Sequence, residues 1–74
     1  MTKTQAVREH LNKFGAITSW EAIENYGETR LADIIYRMRK FENIPIKKEM
    51  IKFSDRFGNV GKYARYVLVK HGDM

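Results

Sequence analysis

Apolar side chains recur at helical spacing through the first half of the chain and at strand spacing through its last third. Val7, Leu11 and Phe14 follow the i, i+4, i+7 pattern of one helical stripe. Thr2 or Thr4 can cap the start, and Gly15 stands where a left-handed C-terminal cap is wanted. A first helix is expected over about residues 4–14. Ile17-Thr18-Ser19-Trp20-Glu21 reads as a capping box: the Thr18 hydroxyl accepts from the Glu21 amide, and the Glu21 carboxylate accepts from the Thr18 amide. Ile17 before the cap and Ala22 at the fourth helical position have the spacing of a hydrophobic staple. The second helix, about 19–26, should turn Ala22, Ile23 and Tyr26 inward and end at Gly27. Trp20 lies at the edge of that face, where a lid over the rim of the core is favoured over a partner contact.

Only a tight turn fits between Gly27 and Thr29. Thr29 is expected to cap a third helix, about 30–42, whose apolar stripe is Leu31, Ile34, Ile35 and Met38. At ~100° per residue, Thr29, Asp33, Tyr36, Arg37 and Lys40 fall on the opposite side, with Arg30 and Arg39 on the flanks. Asn43 suits a left-handed terminator, and Pro45 forbids continuation. The period then changes. Strands are expected at about 46–54 and 62–69 around the turn Asp55-Arg56-Phe57-Gly58-Asn59-Val60-Gly61. In the second strand Ala64, Tyr66 and Leu68 share one face, and Tyr63, Arg65, Val67 and Val69 the other. The fold class is therefore α+β, three helices followed by a two-stranded β-hairpin, in one domain over residues 1–74.

Charge sharpens this picture. Residues 1–29 hold three basic and four acidic side chains, whereas residues 30–70 hold eleven basic and four acidic ones. With Asp73 the formal net charge is +5. A basic half on a slightly acidic base is the footprint of a phosphate-binding surface. Two helices joined by a tight turn form a helix-turn-helix, whose second helix reads the major groove. Its expected DNA-facing residues are Thr29, Arg30, Asp33, Tyr36, Arg37 and Lys40. The hairpin adds a wing, with Arg56, Lys62 and Arg65 in or beside its tip and Lys47, Lys48 and Lys52 extending the basic surface. The start of the third helix also offers free amides and a partial positive charge to a phosphate.

From Thr18 to Leu68 the chain resembles the small helix-turn-helix domains of bacteriophages and prophages. The resemblance rests on Glu21-Ala22, Tyr26-Gly27, Arg30-Leu31, Ile34-Ile35-Tyr36, Arg39-Lys40 and Ala64-Arg65-Tyr66-Val67-Leu68. It implies a winged helix and DNA-binding roles for Arg30, Arg37 and Lys40. Where such domains tend to have Gly after the Arg-Lys pair, this chain has Phe41-Glu42-Asn43.

Other chemistry finds little support. No cysteine is present, so no disulfide or thiolate metal site is expected. His10 and His71 lack a ligand cluster, and neither a metal nor a cofactor is expected. Ser19 and Ser54 lie in no nucleophile motif, Asp33 and Asp55 have no carboxylate partner, and no enzyme is expected. No apolar run approaches the ~18 residues of a membrane span, and the polar start is unlike a signal peptide. The expected function is double-stranded DNA binding in the cytoplasm, the host's if the protein is phage-encoded, as a transcriptional regulator or an excisionase-like architectural factor. The competing class is a protein-binding inhibitor of a host nuclease or polymerase on the same scaffold, using Trp20, Phe57 or the acidic first helices. Either class is compatible with a homodimer.

Overall fold

The computed structural model describes residues 2–69. Its elements run α1 (Lys3–Phe14), β1 (Ala16–Thr18), α2 (Ser19–Tyr26), α3 (Leu31–Phe41), β2 (Ile46–Ser54) and β3 (Val60–Leu68). The three strands form one antiparallel sheet in the order β1-β3-β2. The termini beyond this range, including His71, lie outside the described residues.

Local chemistry sets each boundary. Thr2 caps α1 through a capping box with Gln5, and Gly15, at φ 82°, ends it by donating its amide to the Leu11 carbonyl at 2.8 Å. The left-handed step turns the chain directly into Ala16-Ile17-Thr18, which pairs with Arg65–Val67 of β3. This third strand is a correction to the two-stranded expectation. Three residues are too few to display a period of two, and Ile17 and Thr18 also serve the start of the next helix. The Thr18–Glu21 capping box forms as expected, with both bonds at 3.0–3.1 Å.

Two further corrections concern α3. The helix begins after Arg30, which makes no side-chain cap, and Thr29 is exposed in the turn rather than capping. Glu28 shapes the turn instead: its amide donates to the Ala22 carbonyl at 3.1 Å, and its carboxylate accepts the amide of Arg30, the residue just before the helix, at 2.7 Å. At the other end Asn43 adopts φ 54°, the left-handed step that a glycine would otherwise supply. The Ile44 amide then closes back on the Met38 carbonyl at 3.1 Å.

The core lies between the helices and the root of the sheet. Val7, Leu11, Ile17, Ala22, Leu31, Ile34, Ile35, Met38, Ile46 and Tyr66 are buried together, with Tyr26, Ile44, Ala64 and Leu68 packed against them. Three apolar residues expected inside or at the rim lie outside. Phe14 is 63% exposed, Trp20 65% and Ile23 41%. His10 takes the place that Phe14 was expected to fill: α1 buries Val7, His10 and Leu11, which share one helical face. The imidazole Nδ1 lies 2.7 Å from the Tyr26 hydroxyl, and the Phe14 ring packs against it, tilted by 53° with the centroids 4.7 Å apart. Its Nε2 is buried without a hydrogen bond, 3.7 Å from the Glu21 carboxylate.

Beyond the core the hairpin projects alone. From Lys52 to Val60 every residue is exposed.

Candidate nucleic-acid interface

The sharp division of α3 creates the candidate interface. Leu31, Ile34, Ile35 and Met38 are buried, which turns Asp33, Tyr36, Arg37, Arg39 and Lys40 to solvent. Among the described residues no acidic side chain pairs with Arg30, Arg37, Arg39 or Lys40. The Lys40 ammonium instead donates to the Tyr36 hydroxyl at 3.0 Å and lies 5.4 Å from the centre of that ring. Arg8 reaches Glu42 at 2.6 Å and so engages the acid that immediately follows α3. The Arg30 amide, just before the helix, is occupied by Glu28, whereas no side chain caps the first turn of α3.

The α2–turn–α3 unit is held as one block. Gly27, at φ 65°, donates to the Ile23 carbonyl at 3.0 Å, and its own carbonyl accepts Lys3 Nζ at 3.2 Å. Helix, tight turn, cationic helix and projecting hairpin thus follow one another in that order. A family model described as a winged helix-turn-helix domain matches residues 2–71. The chain belongs to this family. No curated protein and no solved structure matches it.

The wing of this winged helix has two different faces, and register assigns the residues to them. Residues directly opposite in an antiparallel pair share a face. Tyr66, Ala64 and Leu68 pack inward, so their partners Lys48, Met50 and Ile46 lie on the helix side of the sheet. Further out the same face carries Lys52 opposite Lys62 and Ser54 opposite Val60. The other face carries Lys47, Glu49 opposite Arg65, Ile51 opposite Tyr63, and Phe53 opposite Gly61.

The sheet therefore separates the wing cations. Lys48 and Lys62 share the helix side with Lys52, whereas Lys47 and Arg65 face outward. Arg65 lies in the middle of β3, not at the tip, and its guanidinium donates to Glu49 at 3.0 Å. Lys47 lies 3.8 Å from the same carboxylate. Arg56 alone of the expected residues occupies the turn.

That turn is shorter than the glycines suggested, spanning Asp55 to Asn59. Asp55 gathers it: its carboxylate accepts the Phe57 amide at 2.8 Å, the Asn59 amide at 3.0 Å and the Asn59 side chain at 3.1 Å. The Gly58 amide donates to the Asp55 carbonyl at 3.2 Å, and Gly58 takes φ 83° to close the loop. The bonds from Asn59, first its amide and then its side chain, hold the Asp55 carboxyl below its ordinary value, aided by the Phe57 amide. Gly61 is freed to extend β3. The Phe53 ring lies across it, where a β-carbon would come within 2.6 Å.

On the outward face Thr18, Trp20, Glu21, Phe53, Tyr63 and Arg65 line a shallow groove. Its aromatic members are 33 residues or more apart for Trp20 and the strands, so only the β1–β3 pairing brings them together. Among the described residues no group of three or more His, Asp or Glu side chains could hold a metal. Among the described residues no helix is long and apolar enough to cross a membrane.

Proposed function

We propose that this winged helix binds double-stranded DNA, with α3 in the major groove and the helix-side lysines of the wing on the phosphate backbone. One observation carries the reading: the solvent side of α3 presents Arg37, Arg39 and Lys40 without acidic partners, while its other side is buried. The major groove admits a helix and displays a distinguishable donor and acceptor code. Arg37 is assigned to a guanine edge, with Asp33 and Tyr36 beside it on the same exposed side. Lys40, held by Tyr36 near the end of the helix, is assigned to phosphate, as are Thr29 and Arg30 at its start. Lys48, Arg56 and Lys62 follow the backbone from the wing. Lys47 and Arg65, engaged with Glu49, contribute long-range field rather than contacts. In the cell this activity suits a phage-type transcriptional regulator or an excisionase-like architectural factor acting in the host cytoplasm.

Titration of selected and scrambled duplexes at one salt concentration tests the reading. Arg37→Ala should keep the fold, lose about tenfold or more on the selected site and change little on scrambled DNA. Lys40→Ala should weaken both by a similar factor. A protein-binding inhibitor is the second reading, favoured by the outward groove and the exposed Trp20. It takes over if selection finds no preferred duplex and Arg37→Ala retains full biological activity.

A further inference from the structure

Phe57 is the most exposed aromatic side chain described, at 83%, and it sits at the apex of the wing. An isolated surface Phe is unremarkable in itself. Its setting is what gives it meaning. The loop is only Arg56-Phe57-Gly58, and Asp55 holds its backbone by accepting the Phe57 and Asn59 amides. Arg56 precedes the ring, and Lys52 and Lys62 pair with one another just below the tip. An ordered apolar point with Arg56 beside it and Lys52 and Lys62 further down the hairpin is poorly suited to free solvent. It matches the needs of a wedge that enters a phosphate-lined groove and displaces stacked bases.

We propose that the wing tip enters the minor groove and inserts Phe57 between adjacent base pairs, bending the duplex. The inference rests on the DNA-binding reading and deepens it. The minor groove is about 6 Å wide, so a three-residue loop fits where a broader element would not. Apolar side chains driven between base steps unstack them and kink the helix toward the major groove. Arg56 supplies the charge that neutralises the phosphates closing around the tip. Because the turn is already ordered by Asp55, little conformational freedom is lost on insertion. Pyrimidine–purine steps unstack most easily, so the wing confers a preference for such a step at a fixed distance from the bases read by α3.

The test uses a selected duplex carrying end-attached fluorophores, with 2-aminopurine placed at successive steps. Binding of the wild type should raise 2-aminopurine emission at one step and shorten the end-to-end distance. Phe57→Ala should abolish both signals and remove the preference for a TA step, while affinity for a stiff A-tract duplex stays within about twofold. Phe57→Leu, which retains an apolar wedge, should preserve both signals at reduced amplitude. Wild-type binding without emission change or bending overturns the wedge and leaves the DNA reading intact. Full bending by Phe57→Ala overturns it equally. Absence of any duplex binding by the wild type removes both readings together.

Discussion

Asp55 shows how much one side chain can organise at the wing. It stands at the end of β2 and accepts three hydrogen bonds that would otherwise be left to water. Its carboxyl titrates below the ordinary 3.8 because those donors favour the charged form. A depressed folded value fixes the sign. The contribution of the carboxylate is complete above 3.8 and is lost as pH falls through the lower folded value. Hydrogen-exchange protection of the Phe57 and Asn59 amides should therefore persist at neutral pH and disappear in strong acid before the core opens. Asp55→Ala should remove that protection at every pH. Unchanged protection in the variant would mean that strand pairing alone closes the turn. The residue also illustrates a limit of reading sequence. Asp, Gly and Asn mark a turn wherever they cluster, but which of two glycines takes the left-handed position depends on the register. Here Gly58 takes it and Gly61 lies in the strand beneath Phe53.

At the scale of elements, α3 bears on both stability and function. Ile35 is 2% exposed at the centre of its buried stripe. Ile35→Ala should cost about 2–5 kcal/mol, a large part of the stability available to a domain of this size. Thermal unfolding monitored by circular dichroism should show a marked fall in midpoint. A variant melting with the parent would place Ile35 outside the core. Long periodic stripes of this kind were legible in sequence because four apolar side chains outvote any single exception. The Thr18–Glu21 box was legible for a similar reason, since its two partners specify one local geometry. The failures fall on shorter evidence. In α1 a stripe of three had no redundancy, so Phe14 was placed inside and His10 was weighed only as a ligand. A polar ring can occupy that position because Tyr26 supplies its hydrogen bond from another helix, a partnership that local spacing does not encode. Thr29 does not cap because the helix starts one residue later, after Arg30, in a turn that Glu28 shapes by accepting the Arg30 amide.

At the scale of the whole molecule, binding depends on how the cations are distributed between surfaces. Sequence gave their number and their concentration in the second half of the chain. It could not divide them, because the division follows from strand register and from Glu49, which engages Arg65 and Lys47 across and along the sheet. The cations that remain free on the wing predict a measurable electrostatic footprint. Neutralising Arg56 and Lys62 together should weaken binding to all duplexes about equally and reduce the salt slope by ~1–2 units. A slope and affinity equal to those of the parent would mean that the hairpin stays clear of phosphate.

β2 is the outer strand of the sheet, nine residues long and paired on one side only. Its other side is a template on which any extended chain, including another copy of this one, could lengthen the sheet. Lys47, Lys48 and Lys52 stand guard over that template, because a second copy would bring like charges together. In the proposed function the same lysines help attract DNA, whose phosphates would neutralise them. The guard is therefore strongest when molecules are dilute and free, and weakest when they crowd along a shared duplex.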